Sequence, residues 1–255
     1  MSVHEVAEHG FGSEAETYER VRPGYPPELV EWLAEHLRIR PGTTVLDVAA
    51  GTGKLTRLLP ACGATVFAAE PVAGMRAVLR RVLPDDPVVA ATAEFLAFAD
   101  GAFDAATVAQ AFHWFDIDVA ARELARVLRS GGRLGLVWNA RDRGVDWADE
   151  VWSIMDRVEK HAPWSGHEQW RDTIAAGLPG FAPTHAATFH HAVSSTADDV
   201  VDRIASVSHV AVLPPEARAG VLDEVRRLLA SHPQTAGTDT VQMPYRVDAY
   251  WCERA

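Results

Sequence analysis

Apolar positions along the chain follow two alternating rhythms. In residues 28–37, Leu29, Trp32, Leu33 and Leu37 recur at helical spacing after the turn Arg22-Pro23-Gly24-Tyr25-Pro26-Pro27, which predicts a helix. Pro41-Gly42 breaks the chain before Thr44-Val45-Leu46-Asp47-Val48, a short β-branched run of the kind buried inside a parallel sheet. A small-residue loop over 49–53 leads into a predicted helix over 54–59. A second strand over 65–69 ends at Glu70-Pro71, followed by a helix over 75–83 and a third strand over 87–91. A fourth strand is predicted over 103–111, then a helix over 118–128 with Ala120, Leu124, Val127 and Leu128 on one face. Gly131-Gly132 is expected to close that helix before a fifth strand over 133–138. Such βα alternation predicts an α/β fold, a mostly parallel sheet with helices on both faces. Right-handed crossovers then gather the loops after the strands on one edge, where such sheets bind ligands.

Beyond Trp138 the rhythm changes. Residues 145–178 read as helices, and Trp138, Trp147, Trp152, Trp164 and Trp170 fall in or beside them. A strand over 185–193, helices over 197–207 and 216–230, and a last alternating strand over 241–250 complete the pattern. The last strand is expected to run antiparallel to the rest. The division we expect is an N-terminal helical lid (1–40), a ligand-binding core (41–141), a helical cap insert (142–182) and a continuation of the core sheet and helices (183–255).

Composition narrows the function. The 255 residues include 24 Lys plus Arg against 35 Asp plus Glu, a formal charge of -11. That field repels nucleic acid and anionic membranes while leaving a small ligand open. The start, MSVHEVAEHGFGSEAE, lacks an apolar run behind a basic stretch, and no apolar run approaches a membrane span, so a cytoplasmic protein is expected. Cys62 and Cys252 form no metal-ligand spacing. Asp198-Asp199-x-x-Asp202 follows Ser195-Thr196 and is read as helix capping, as are Asp116 and Asp118. His185, His190 and His191 look metal-like, but His190 and His191 point to opposite faces of a strand, so no metal is expected.

The most informative stretch is Val45-Leu46-Asp47-Val48-Ala49-Ala50-Gly51-Thr52-Gly53-Lys54-Leu55-Thr56. Small residues between a strand and a helix let backbone approach a ligand at the helix N-terminus. A phosphate-binding P-loop fails, because Val48 stands where its first glycine belongs and Leu55 where Ser or Thr belongs. A dinucleotide fingerprint fails at Thr56, where a small residue belongs. Glu70, ending the next strand, is placed to accept hydrogen bonds from both hydroxyls of an adenosine ribose.

This loop resembles the S-adenosylmethionine loop of class I methyltransferases, in which an acidic residue precedes Gly-x-Gly-x-Gly. Phe11-Gly, Tyr18-Glu-Arg and Arg22-Pro-Gly-Tyr-Pro-Pro resemble the N-terminal segment of a small-molecule subgroup that includes aconitate-type enzymes. Thr92-Ala-Glu94-Phe-Leu, Phe103-Asp104, Gln110-Ala-Phe-His-Trp-Phe115, Leu128-Arg-Ser-Gly-Gly132 and Trp138-Asn139 follow in order. The resemblance is specific over residues 11–141 and loose afterwards. It departs at Ala49, in place of the first loop glycine, and at Ser130, where proline often stands. It implies a Rossmann-like core and S-adenosyl-L-methionine as cofactor. Asp47, Ala49 and Gly51 would line the methionine end, with Gly53 completing the loop. Glu70 would hold the ribose beside Pro71 and Val72, and Ala93 and Glu94 would flank adenine. Gln110 and Ala111 would sit under the sulfonium, with Tyr18 and Arg22 closing over the carboxylate.

Methyl transfer from a sulfonium is an in-line displacement whose main requirement is positioning, which alone supplies roughly 7–11 kcal/mol. His113 is the candidate base, and packing of the segment Phe112 to Phe115 is the competing role. Tyr25, His113, Trp114, Trp138, Asn139 and Arg141 are the candidate acceptor contacts, and the tryptophans of 147–170 either wall the acceptor or pack. The expected function is methylation of a small-molecule acceptor by a monomer or homodimer. A cofactor-binding regulatory or scaffold protein and a nicotinamide-dependent reductase remain as alternatives.

Overall fold

A computed structural model describes residues 15–159 and 169–255. Phe11-Gly12 and Trp164 of the motifs above lie outside the described residues. Seven strands form one sheet in the order β3-β2-β1-β4-β5-β7-β6. They are β1 (Thr44–Val48), β2 (Thr65–Ala69), β3 (Val88–Val89), β4 (Phe103–Ala109), β5 (Leu128–Arg141), β6 (His185–Ser195) and β7 (Val241–Glu253). The first five pair in parallel, and β7 runs antiparallel to both β5 and β6, as expected of the last strand. β1 is buried on both faces from Val45 to Val48, which is why it reads as a continuous apolar run rather than an alternating one.

Nine helices surround the sheet among the described residues: α1 (Ala15–Val21), α2 (Pro27–His36), α3 (Ala73–Val82), α4 (Ile117–Val127), α5 (Asp146–Glu159), α6 (Gln169–Ala176), α7 (Ala197–Ala205), α8 (Ser208–Ala211) and α9 (Pro215–Ser231). α2 starts at Pro27, whose missing N–H costs nothing at a first helical position, and buries Leu29 and Leu33. α4 buries Ala120, Ala121, Leu124 and Val127, and Asp116 caps it by accepting from the Val119 amide at 3.2 Å. At α7, Thr196 and Asp199 cap each other reciprocally.

Three expectations need correction. The helix expected over 54–59 is instead a 3-10 turn over Thr56–Cys62. Pro60 removes a donor from an α-helical ladder, and Gly63, left-handed at φ 81°, ends the turn. The third strand shrinks to Val88–Val89, since Pro87 has no N–H to give and Thr92 bridges back to Phe95. Gly131-Gly132 does not close α4. Leu128 is already extended and pairs with Phe103, so the glycines form an irregularity inside β5, where Gly131 takes φ 70°.

One apolar cluster lies between the sheet and α4 and α6, and another between the opposite face and α2. A third joins α5, α7, α8 and α9 to Val241, Met243 and Tyr245 at the start of β7. Tyr245 pairs with Arg141 at the end of β5, so this helical cluster overhangs the edge where the parallel strands end. No helix among the described residues is long and apolar enough to cross a membrane.

Candidate active site

The loop after β1 turns with three residues in the left-handed region, Ala49 (φ 54°), Gly51 (φ 60°) and Gly53 (φ 87°). A Cβ at Gly53 would stand 2.6 Å from Leu79 Cδ1 of α3, so glycine there serves close packing as well as conformation. Behind the loop, Asp47 is fully buried: Oδ2 accepts from the Thr56 hydroxyl at 2.6 Å and Oδ1 from the Thr107 hydroxyl at 2.8 Å. Burial raises its pKa from 3.8 to about 6, against the pull of those two hydroxyls.

Glu70, buried at the end of β2, reaches back across the loop. Its Oε2 accepts from the Gly51 amide at 2.8 Å and its Oε1 from the Val72 amide at 2.8 Å. Burial raises its pKa, opposed by those two N–H groups. The Glu70 and Pro71 carbonyls both accept from Arg76, which fixes the turn. A carboxylate holds about four lone-pair positions, so two amides leave capacity for ligand hydroxyls.

A pocket opens above the loop, lined by Tyr18, Arg22, Tyr25, Ala49 to Thr52, Lys54, Gln110 and Asn139. Gln110, directly after β4, adopts φ 61°, a left-handed conformation that non-glycine residues hold chiefly where function or packing enforces it. The Tyr25 hydroxyl hydrogen-bonds Gln110, and burial pushes its pKa up, with Tyr18 and Asp47 adding to the shift. α1 is tied down over this pocket. Lys54 Nζ donates to the Glu19 carbonyl at 2.7 Å, Arg22 Nη2 donates to the Ser206 carbonyl at 2.6 Å, and Arg20 pairs with Asp202 at 2.6 Å.

The pocket continues into a larger cleft under the helical cluster, whose walls include His113, Trp138, Arg141, Trp152, Trp170 and Arg246. Trp138 and Trp170 stack at 3.7 Å. Trp138 Nε1 donates to His113 Nδ1 at 3.4 Å, so the neutral His113 ring carries its proton on Nε2. Asn139 donates to the Gly24 carbonyl at 3.0 Å while its Oδ1 meets His191 Nε2 at 3.0 Å. Arg141 pairs with Asp156 at 2.8 Å and Glu159 at 2.9 Å and lies over the Trp152 ring.

Tyr18, Arg22, Tyr25, Ala49, Gly51, Gln110 and Asn139 thus meet at one pocket, and His113, Trp138 and Arg141 in the adjoining cleft. Asp47 sits behind the loop, Trp114 stands outside the cleft lining, and Trp147 is buried in the helical cluster. Ala93 is buried in the turn between β3 and β4, where Glu94 Oε1 accepts from the Asp116 amide at 3.1 Å. Ala111 leads into the short 3-10 turn Phe112–Trp114. Arg171, Arg203 and Arg246 line these cavities from polar faces of later elements, and Thr52 and Lys54 from within the loop, without a sequence signal that marks their side chains. Thr56 and Thr107, which hold Asp47, were equally silent.

Residues 46–136 match the family of the methyltransferase domain. An uncharacterized methyltransferase of Mycobacterium tuberculosis (strain ATCC 25618 / H37Rv) is 40% identical over 235 residues, 92% of this chain and 91% of that protein. The chain belongs to the class I S-adenosylmethionine-dependent methyltransferase family. An uncharacterized methyltransferase-like protein of Schizosaccharomyces pombe (strain 972 / ATCC 24843) is 30% identical over 245 residues, 96% of this chain and 95% of its own. Among solved structures, one named for a type II methyltransferase from Anaeromyxobacter dehalogenans superposes with a TM-score of 0.67 at 26% identity, over 91% of this chain and 96% of that one. Haemonchus contortus phosphoethanolamine N-methyltransferase 2, solved with S-adenosyl-L-methionine, shares the fold at a TM-score of 0.60 and 15% identity, over 100% of this chain and 60% of that one. The chain is therefore a methyltransferase, and its loop, acidic strand end and adjoining cleft are parts of that enzyme's sheet edge.

Proposed function

We propose that this methyltransferase binds S-adenosylmethionine across the loop after β1 and methylates a small molecule held in the adjoining cleft. The observation that carries the reading is Glu70, whose carboxylate is already locked against Gly51 and Val72 and faces the loop with acceptor capacity left. The residues present fit the cofactor. Thr52 Oγ1 is buried at the pocket with no hydrogen-bond partner among the described residues, a polar group awaiting a ligand. When bound, S-adenosylmethionine would supply an activated methyl group, the S–CH3 bonding pair passing to sulfur to leave the neutral thioether while a lone pair of the acceptor forms the new bond to carbon.

The chain's own part is positioning. Ala49, Gly51 and Gly53 bring backbone close, Tyr18 of α1 and Arg22 just after it line the pocket, and Gln110 lines both the pocket and the cleft. His113, with Nδ1 taken by Trp138, serves to set the cleft floor rather than to accept a proton at that nitrogen. The cleft, overhung by helices and walled by Trp138, Trp152 and Trp170, has room for a metabolite-sized acceptor.

The test is calorimetry with S-adenosylhomocysteine and NADH, on the wild type and Glu70→Ala, with an acceptor screen using labelled methyl donor. We expect binding of the sulfur nucleoside, little of NADH, and an affinity for S-adenosylhomocysteine lower by about 10–150-fold in Glu70→Ala. NADH binding without S-adenosylhomocysteine binding would overturn the reading, and unchanged affinity in a folded Glu70→Ala protein would place the ribose elsewhere.

A further inference from the structure

Arg203 of α7 lies on the seam between the loop pocket and the cleft, and lines both. Its Nε and Nη1 are buried, yet neither has a hydrogen-bond partner among the described residues. A guanidinium cannot shed its proton to escape such a position, as a buried lysine or carboxyl can. Two desolvated, unpaired N–H groups on a permanent cation mark a place built to receive an acceptor atom.

The surroundings strengthen that reading. Arg22 lines the same two cavities. His209 Nε2 is also buried without a partner among the described residues, and the charges that bear on it are Glu159 against Arg141, Arg22 and Arg203. Glu159 is already engaged by Arg141 at 2.9 Å. The other acids of the cleft are engaged as well, Asp156 by Arg141 and Arg143 and Asp142 by His190. On a chain of formal charge -11, Arg203 at the seam beside the loop pocket is therefore left without an acidic partner among the described residues.

We propose that Arg203 receives an anionic group of the methyl acceptor, a carboxylate or a phosphate, so that the acceptor class is a small molecule carrying such a group rather than a neutral one. This rests on the small-molecule methyltransferase reading above. A planar guanidinium suits both groups, because their paired oxygens match its N–H fork. The cofactor's own carboxylate has the same chemistry, and the experiment separates the two sources.

The full chain, saturated with S-adenosylhomocysteine at low salt, is titrated calorimetrically with succinate, benzoate and inorganic phosphate, and with succinamide and benzamide as neutral counterparts. At least one anion is expected to bind where the neutral amides do not. Arg203→Gln should weaken that anion by about 10–150-fold while S-adenosylhomocysteine affinity moves less than about threefold. Arg203→Lys keeps the charge but not the fork, so it should retain part of the affinity, and it carries the comparison if the Gln variant does not melt cooperatively. Loss of S-adenosylhomocysteine affinity with anion binding untouched would assign Arg203 to the cofactor's carboxylate and overturn the proposal. Binding of no anion, or equal binding of the amides, would overturn it too. Failure of the wild type to bind S-adenosylhomocysteine at all would instead remove the underlying site reading, and this proposal with it.

Discussion

Asp47 is the group whose replacement should stabilise the protein, and the effect should depend on pH. It lies in β1 at 1% exposure, with a threonine hydroxyl on each oxygen. Burial lifts its pKa from 3.8 to about 6. A folded-state value above the unfolded one means that the folded protein holds the proton more tightly. The stability contributed by the protonated form is thus complete below about pH 4 and lost as pH rises through about 6. At about 1.36 kcal/mol per unit, the ionised carboxylate costs about 3 kcal/mol by pH 7.5. Asn is a neutral isostere, and the hydroxyl facing its amide nitrogen can turn from donor to acceptor, leaving nothing unpaired. The shift already nets the pull of the two hydroxyls, so the expected gain for Asp47→Asn is up to about 3 kcal/mol at pH 7.5. A protein of this size melts about 2–4 °C higher for each kcal/mol. Urea unfolding of both proteins at pH 7.5 and pH 4.5 is the assay, and the gain should shrink at the lower pH. A variant no more stable than the wild type at pH 7.5 would refute the reasoning, because the hydroxyls would then outweigh burial.

Two further outcomes follow from local geometry. Ala49 holds φ 54°, which costs a non-glycine residue about 1–2 kcal/mol, against about 0.4–1 kcal/mol of extra chain entropy for glycine in the unfolded state; Ala49→Gly should therefore raise stability by up to about 1.6 kcal/mol, read as a higher melting temperature. His113 accepts from Trp138 at Nδ1, a role that Gln can reproduce, so His113→Gln should keep partial turnover with little change in cofactor affinity. Complete loss of turnover with normal melting and normal binding would make His113 the base after all.

Much of the sheet was legible because parallel strands buried on both faces appear as β-branched runs set off by Pro and Gly. β1 and β2 have the bounds that Thr44-Val45-Leu46-Asp47-Val48 and the run before Glu70-Pro71 suggest. The loop was legible because left-handed backbone calls for small residues. What escaped depends on partners distant in the chain. Leu128 extends because Phe103 waits beside it, and no local signal at Gly131-Gly132 reports that pairing. Likewise Arg203 is one polar residue on an amphipathic helix until α7 is packed beside the loop pocket, 150 residues after Gly53 in sequence.

The N-terminal helix α1 has another consequence. Its Glu16 grips Arg81, its Glu19 grips Arg57 and its Arg20 grips Asp199 and Asp202, so charge ties a seven-residue segment to three separate parts of the molecule. Its apolar anchor is small: Ala15, with Tyr18 packed beside it, joins Val72, Met75 and Val78 of the neighbouring turn and α3. Such fastening weakens steeply with ionic strength, whereas the packed sheet beneath is indifferent to it. Raising ionic strength should therefore loosen α1 before it disturbs the sheet, an expectation that hydrogen exchange at α1 in low and high salt would check.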